Sequence, residues 1–412
     1  MNTLRRSLTW VQGTALTIGA VLGCGILILP SVAADTAGPA SLAAWLLMSL
    51  AAFPIVGTLS ALVQKAPSAG GITAYAELAF QKKAGAVSGW IMLGSVPIGV
   101  PIIALTGAQY ITSVTGAGAG AVTLIASAML ALSLFLHLRG LQLSAGIGTL
   151  IICLIILLLA AAVAVSLPHV TPGSFHPFLP HGWHAAGSAA VMIFFSFVGW
   201  EMITPLAEEF KHPKRDIPIS LFAAAACVGL LYTLTAYVTV GTHAYGDEKG
   251  IASLNLLMAN GTGRTGVYIT ACLALFITFS TVHANIAGFS RMVYAMSREG
   301  HIPKYFDRLH QKNRTPVRVL TTLGAIFFTV LLIQWVFQLN PEVLLKGPSA
   351  AFIASYIITM AAGLKLLRRF GIGWWSALAS LGLCIGIYSF SGWAFCYPIL
   401  LGLAGHFYNR RK

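Results

Sequence analysis

The chain has 412 residues, of which 57% are hydrophobic and 9% charged, and its mean hydropathy is +0.82. That composition excludes a soluble globular domain and marks an integral membrane protein. The net charge of +14 at pH 7 needs no nucleic-acid partner, because basic loops set by topology and drawn to anionic membrane lipid account for it.

Apolar runs long enough to cross a bilayer predict twelve transmembrane helices, near residues 11–35, 40–64, 86–113, 119–138, 141–167, 186–210, 217–241, 265–297, 317–338, 343–367, 372–389 and 392–408. The expected fold class is therefore an all-α integral membrane protein, a single transporter-like domain over 1–412. Placing the N-terminus in the cytoplasm puts all but three of the 25 basic residues on that side; Lys249, Arg264 and Lys346 fall outside. Both termini are then cytoplasmic.

The first run holds Gly23-Cys24-Gly25. Arg5 and Arg6 before it and Ser31-Val32-Ala33 within it resemble parts of a cleaved signal peptide, but the run is longer than a signal core and broken by Gly19, Gly23 and Gly25, which fits a retained helix better. Glycines at this depth serve close helix packing as well as unwinding. The third run is expected to face a cavity with Ile91, Gly94, Ser95, Pro97, Ile98 and Pro101, none of which could pair with a charged solute. The fifth carries no ionisable side chain except Cys153. Between the fifth and sixth runs His169, His176, His181 and His184 crowd one loop. Without a carboxylate or cysteine, and broken by prolines, they read as an ordinary loop with no metal site.

The sixth run contains Gly199-Trp200-Glu201, a second interruption. Five crossings after the first run, it has the opposite orientation, so matching breaks in runs 1 and 6 point to an inverted repeat of 11–167 on 186–367, with 372–408 peripheral and a binding site between the halves. Glu201 is the one acidic residue clearly inside a span, at an insertion cost of roughly 2.5–3.5 kcal/mol. It is read as a gate or proton carrier, or as a neutral structural acid bonded to a neighbouring helix. In the eighth run Asn285 is a pathway candidate, and His283 is either a proton relay or a satisfied core histidine. Lys346, at the outer start of the tenth, either snorkels to the interface or reaches the vestibule. The six cysteines lie in or beside spans without paired spacing and are expected to be reduced.

In chain order, Ile18-Gly19-Ala20-Val21-Leu22-Gly23-Cys24-Gly25-Ile26-Leu27, Pro67-Ser68-Ala69-Gly70-Gly71, Phe197-Val198-Gly199-Trp200-Glu201, Glu208 to Pro218, and Ser290 to Gly300 followed by Pro303 form a series of motifs. Together they resemble the amino acid–polyamine–organocation (APC) superfamily, which commonly has Ser at the Cys24 position, and within it the bacterial exporters of methionine and branched-chain amino acids. The resemblance implies a LeuT-like five-plus-five inverted repeat with discontinuous helices 1 and 6. It implies that backbone around Gly23, Cys24 and Gly25 receives a substrate carboxylate, that carbonyls near Val21, Phe195 and Val198 receive its ammonium, and that Phe195 holds an aromatic gate position, although a buried helical Phe explains it equally. Some proton-coupled relatives place a lysine early in the fifth span, where this chain has Gly146, so the coupling ion stays open, with the proton one candidate. The expectation is a secondary transporter of neutral apolar amino acids in a bacterial cytoplasmic membrane, an exporter without cofactor. A proton-coupled importer is the alternative. A membrane enzyme or channel is more distant, since no catalytic motif lies at membrane depth and paired breaks suit an occluded site.

Overall fold

A computed structural model describes residues 4–23, 25–246, 264–339 and 341–410. Among these the structure is helical, and the one extended contact is a parallel bridge between Leu8 and Phe210. Helix α1 (Trp10–Leu22) starts after Thr9, whose N–H donates to Gln12 Oε1 at 3.1 Å, one half of a capping box. Helix α2 (Gly25–Ala37) leads through a 3-10 turn at Gly38–Ala40 into α3 (Ser41–Lys65). A short α4 (Ile72–Phe80) precedes α5 (Lys82–Leu93) and α6 (Val96–Thr115). Helix α6 stops at Gly116, in left-handed backbone at φ 70°, before α7 (Ala119–Arg139) and α8 (Leu141–Ser166).

Helix α9 (Gly182–Phe194) runs into 3-10 turns at Phe195–Phe197 and Trp200–Glu209. The remaining helices are α10 (Pro213–Gly241), α11 (Arg264–Arg298), α12 (Val317–Phe337), α13 (Pro341–Leu366), α14 (Ile372–Tyr388) and α15 (Cys396–Arg410). Helix α10 begins on Pro213 with Asp216 in its first turn, residues suited to a helix N-terminus by fixed φ and by charge.

Eight helical segments have the length and hydropathy of membrane spans, Leu141–His169 the most apolar among them. This is an all-helical membrane protein. Its outward faces are apolar, as on α8, where Leu143, Leu150, Leu154 and Leu157 form one exposed stripe, while Trp45, Trp200, Tyr232 and Arg291 are buried inside. The runs expected near 11–35 and 186–210 are not continuous helices. Helices α1, α2 and α9 have 13 residues each, about 20 Å apiece and short of a ~30 Å hydrocarbon core. Helices α14 and α15, with 17 and 15 residues, are also shorter than the eight.

The two halves of the first run have different neighbours: α1 packs against α8, α10 and α11, whereas α2 packs against α9 and α10. Small residues permit the α1–α11 approach. A Cβ at Gly19 would lie 2.3 Å from Ser280 Oγ, and Thr281 Oγ1 donates to Gly19 O at 2.8 Å. The third run is also broken, between α5 and α6 at Gly94 and Ser95, and the carbonyl freed at Gly94 accepts a 2.7 Å bond from Tyr397 of α15.

Candidate functional site

Helix α1 ends at Gly23, whose φ of 45° and ψ of −168° take the chain out of helix, and α2 restarts at Gly25. The second interruption turns at Gly199, with φ 127°. The two breaks touch. A Cβ at Gly25 would lie 2.5 Å from Ser196 Cβ, and one at Gly199 would lie 2.8 Å from the Ala20 carbonyl oxygen, so neither position has room for a side chain.

Two tyrosines hold the breaks in register. Tyr232 of α10 directs its O–H at Leu22 O (2.7 Å), with Ser196 O at 3.2 Å and Val21 O at 3.4 Å, linking the end of α1 to the 3-10 turn after α9. Tyr356 of α13 accepts from Gly199 N–H at 3.2 Å and donates to Glu201 Oε2. Glu201 is 3% exposed, and its other oxygen, Oε1, is buried without a hydrogen-bond partner among the described residues. Neither tyrosine stands out in the sequence, because one Tyr in an apolar span reads as filler until its hydroxyl is placed.

Beside the breaks lies a cavity of about 300 Å³, at the small end of the range of small-molecule sites. One wall is Val21, Gly23, Gly25, Val198 and Gly199. The C-terminal end of α1 and the N-terminal end of α2 meet at this wall, and helix ends of those two kinds carry partial negative and partial positive charge respectively. The rest is apolar or neutral: Ile28, Leu29, Ile103, Leu345 and Phe352, with Thr281 and Asn285 from α11. No charged side chain lines it among the described residues.

Of the expected site residues, Val21, Gly23, Gly25, Val198 and Asn285 come together at this cavity, and Glu201 lies behind the Gly199 turn through Tyr356. Cys24 and the Phe195 side chain lie outside the described residues. Pro97 is buried at the start of α6 and does not line the cavity; Gly99 and Ile103 take that place, because the break at Gly94 and Ser95 resets the helical phase. His283 is buried on the far face of α11 against α7 and α8, and Lys346 is exposed on α13 outside the cavity lining.

The end of the molecule carrying the N-terminal segment holds two Arg–Glu ion pairs and a His–Glu hydrogen bond. Arg291 Nε meets Glu209 Oε1 at 2.7 Å, Arg298 grips both oxygens of Glu208, and His301 Nε2 meets Glu77 Oε2 at 2.8 Å. Ser7 and Leu8 N–H groups donate to Glu209 O, so the chain start is sewn to the Trp200–Glu209 segment. Just past α11, burial and the neighbouring Glu77 carboxylate push Glu299 up to about 7.

Residues 8–397 match the amino acid permease family. The chain is 66% identical over 409 residues to an uncharacterized amino acid permease of Bacillus subtilis, YecA, covering 99% of this chain and 96% of that protein. It is 30% identical over 415 residues to the L-methionine/branched-chain amino acid exporter YjeH of Escherichia coli, covering 98% and 96%. To the branched-chain amino acid permease BcaP of Bacillus subtilis it is 24% identical over 334 residues, covering 76% and 72%.

Proposed function

The chain belongs to the amino acid permeases of the APC superfamily, a family of transporters and not of enzymes, and from that premise we propose that it carries neutral, apolar amino acids out of the cell by alternating access. The observation that carries this reading is the cavity's division of labour. Helix ends at Gly23–Gly25 and Val198–Gly199 suit a carboxylate and an ammonium, while every other wall is apolar or uncharged. A zwitterion with a methionine, leucine, isoleucine or valine tail satisfies both parts. The relatives named for branched-chain amino acids and methionine point the same way.

In this reading twelve helices form the membrane domain, with 11–167 and 186–367 as inverted repeats meeting at the two breaks, and both termini face the bacterial cytoplasm. The pairs Glu209–Arg291, Glu208–Arg298 and Glu77–His301 then close the cytoplasmic side and separate when the cavity turns inward. Glu201 and Tyr356 form the gate behind the Gly199 turn: movement of the 200–209 segment changes their bond, and the free Oε1 leaves the carboxyl able to take a proton or a new donor.

Counterflow of labelled leucine in proteoliposomes tests the assignment. Methionine, leucine, isoleucine and valine are expected to compete at similar concentrations. Arginine and glutamate should compete at least ~10-fold more weakly, because a buried charge left unpaired costs about 1.5 kcal/mol or more. Arginine or glutamate outcompeting leucine overturns the apolar-pocket reading, and an absence of saturable exchange across the panel overturns the carrier. Imposed gradients then fix the direction of net movement.

A further inference from the structure

Away from the cavity, two histidines are buried together on the opposite face of α11. The rings of His137 (α7) and His283 (α11) stack at 4.2 Å between centroids with 20° between planes. Ser133 Oγ lies 3.0 Å from His283 Nδ1. Ser144 Oγ lies 2.6 Å from His283 Nε2 and 3.0 Å from His137 Nδ1, and His137 Nε2 lies 3.0 Å from the His283 carbonyl oxygen. The rings and hydroxyls are withdrawn from solvent: both histidines and both serines are at most 1% exposed.

The carbonyl fixes the direction of this chain. His283 O can only accept, so His137 carries its proton on Nε2 and its Nδ1 is an acceptor. Ser144 Oγ must then donate to His137 Nδ1, and His283 Nε2–H is shared between Ser144 Oγ and the Ser144 carbonyl oxygen, 3.1 Å away. That leaves His283 Nδ1 as an acceptor filled by Ser133. Neutral, the network is complete and runs one way, from Ser133 through His283 and Ser144 to His137.

One place in it takes an added proton with the least rearrangement. Protonation of His283 Nδ1 reverses only the bond to Ser133, whose hydrogen can turn to a carbonyl of the preceding helical turn. Protonation of His137 Nδ1 would turn Ser144 Oγ, which already meets His283 Nε2–H, from donor to acceptor, and a second imidazolium 4.2 Å from the first is opposed by charge repulsion. An added proton is therefore accommodated with the least rearrangement on His283.

The surroundings supply a polar cavity nearby and a mechanical link. Helix α8 presents Gly148 to the ring, where a Cβ would lie 3.6 Å from His283 Cδ2 and 4.0 Å from Leu16 of α1. One residue before Ser144, a cavity of about 330 Å³ opens at the α7–α8 turn, lined by Arg5, Arg139, Gln142, Leu143, Glu209 and Asn313, large enough for water. The titratable and charged groups facing the pair are few: each other, Arg291 two turns along α11 and paired with Glu209, and Arg5 and Arg139 at that cavity. On α11 itself, Thr281 and Asn285 line the amino-acid cavity two residues to either side of His283. A charge gained on one face of α11 thus bears on the helix that walls the other.

We propose that the stacked His137–His283 pair is the proton-binding site that couples transport to a proton gradient, with His283 the residue that takes the proton. The inference rests on the carrier reading above. Each cycle loads a proton onto His283 Nδ1 from one aqueous side and returns it to the other.

Proteoliposomes holding a pH-sensitive dye test it. In the unmodified protein a leucine gradient should move protons, one for each leucine, and in His283→Gln that movement should fall to the leak of empty vesicles while the pH dependence of exchange flattens. Counterflow in the same vesicles separates the two readings: an unmodified protein without counterflow fails as a carrier, whereas counterflow without proton movement overturns the histidine site alone. His283→Gln moving protons with leucine at the unmodified ratio also overturns it. Should His283→Gln fail to fold, Ser133→Ala decides. Loss of the hydroxyl removes a charge-assisted bond from the protonated ring and a weaker neutral bond from the other form, so the midpoint of transport against pH should move to lower pH by about one unit. An unmoved midpoint overturns the site.

Discussion

Replacing Glu209 with alanine is expected to destabilise the protein by ~3–5 kcal/mol, enough to remove most of it from the folded fraction. Arg291 has a fully buried side chain, and Glu209 beside it is 4% exposed, with Nε and Oε1 2.7 Å apart. The other contacts of the guanidinium are weak replacements. Nη1 donates to Ser290 Oγ at 3.0 Å and to Ala287 O at 3.5 Å, and Nη2 has no partner among the described residues. Without the carboxylate a cation stays buried with neutral acceptors only, which costs far more than an exposed ion pair gains. Glu209→Gln keeps one acceptor and should be damaged less. Heating detergent-solubilised protein and measuring the folded remainder checks this: an alanine variant as heat-resistant as the parent would mean that Arg291 is not confined as described.

Gly199→Ala should lower leucine affinity by roughly 100-fold or abolish binding. At φ 127° any side chain is strained by about 1–3 kcal/mol, and each 1.4 kcal/mol drawn from binding is tenfold. The added Cβ would also sit 2.8 Å from the Ala20 oxygen and 3.0 Å from its carbonyl carbon, both backbone atoms of α1. Neither can rotate aside, so the two breaks must separate and the cavity wall they share is lost. Gly116→Ala provides the contrast. It too has positive φ, 70°, but nothing lies within 4 Å of its Cβ, so it should cost a little stability and leave leucine affinity unchanged. Wild-type affinity in Gly199→Ala would show that contact between the breaks is unnecessary for binding.

The breaks themselves were legible in the sequence, because glycines at Gly23, Gly25 and Gly199 interrupt runs that bilayer thickness otherwise requires to be continuous helix. The apolar character of the cavity was legible too, although the expected face of the third run was wrong in register. Gly94 and Ser95 end one helix and start another, so counting at 3.6 residues per turn across them misplaces Pro97 and misses Ile103. What brings distant side chains together was not legible. Tyr356 is 155 residues from Glu201, and His137 meets His283 across 146, distances over which helical periodicity carries no information. His137, two residues before Arg139 at the end of its run, carries nothing in the sequence that marks it as half of a buried pair.

The central claim is that one cavity wall reads both charged ends of an amino acid. Competition against labelled leucine counterflow by one-ended analogues tests it most directly: leucine methyl ester, which lacks the carboxylate, and 4-methylpentanoate, which keeps the tail and carboxylate but lacks the ammonium. Each loses a charge-assisted interaction of about 1.5–3 kcal/mol, so each should compete ~10–100-fold more weakly than leucine. Either analogue competing as well as leucine would contradict the assignment of the two helix breaks to the two ends of the substrate.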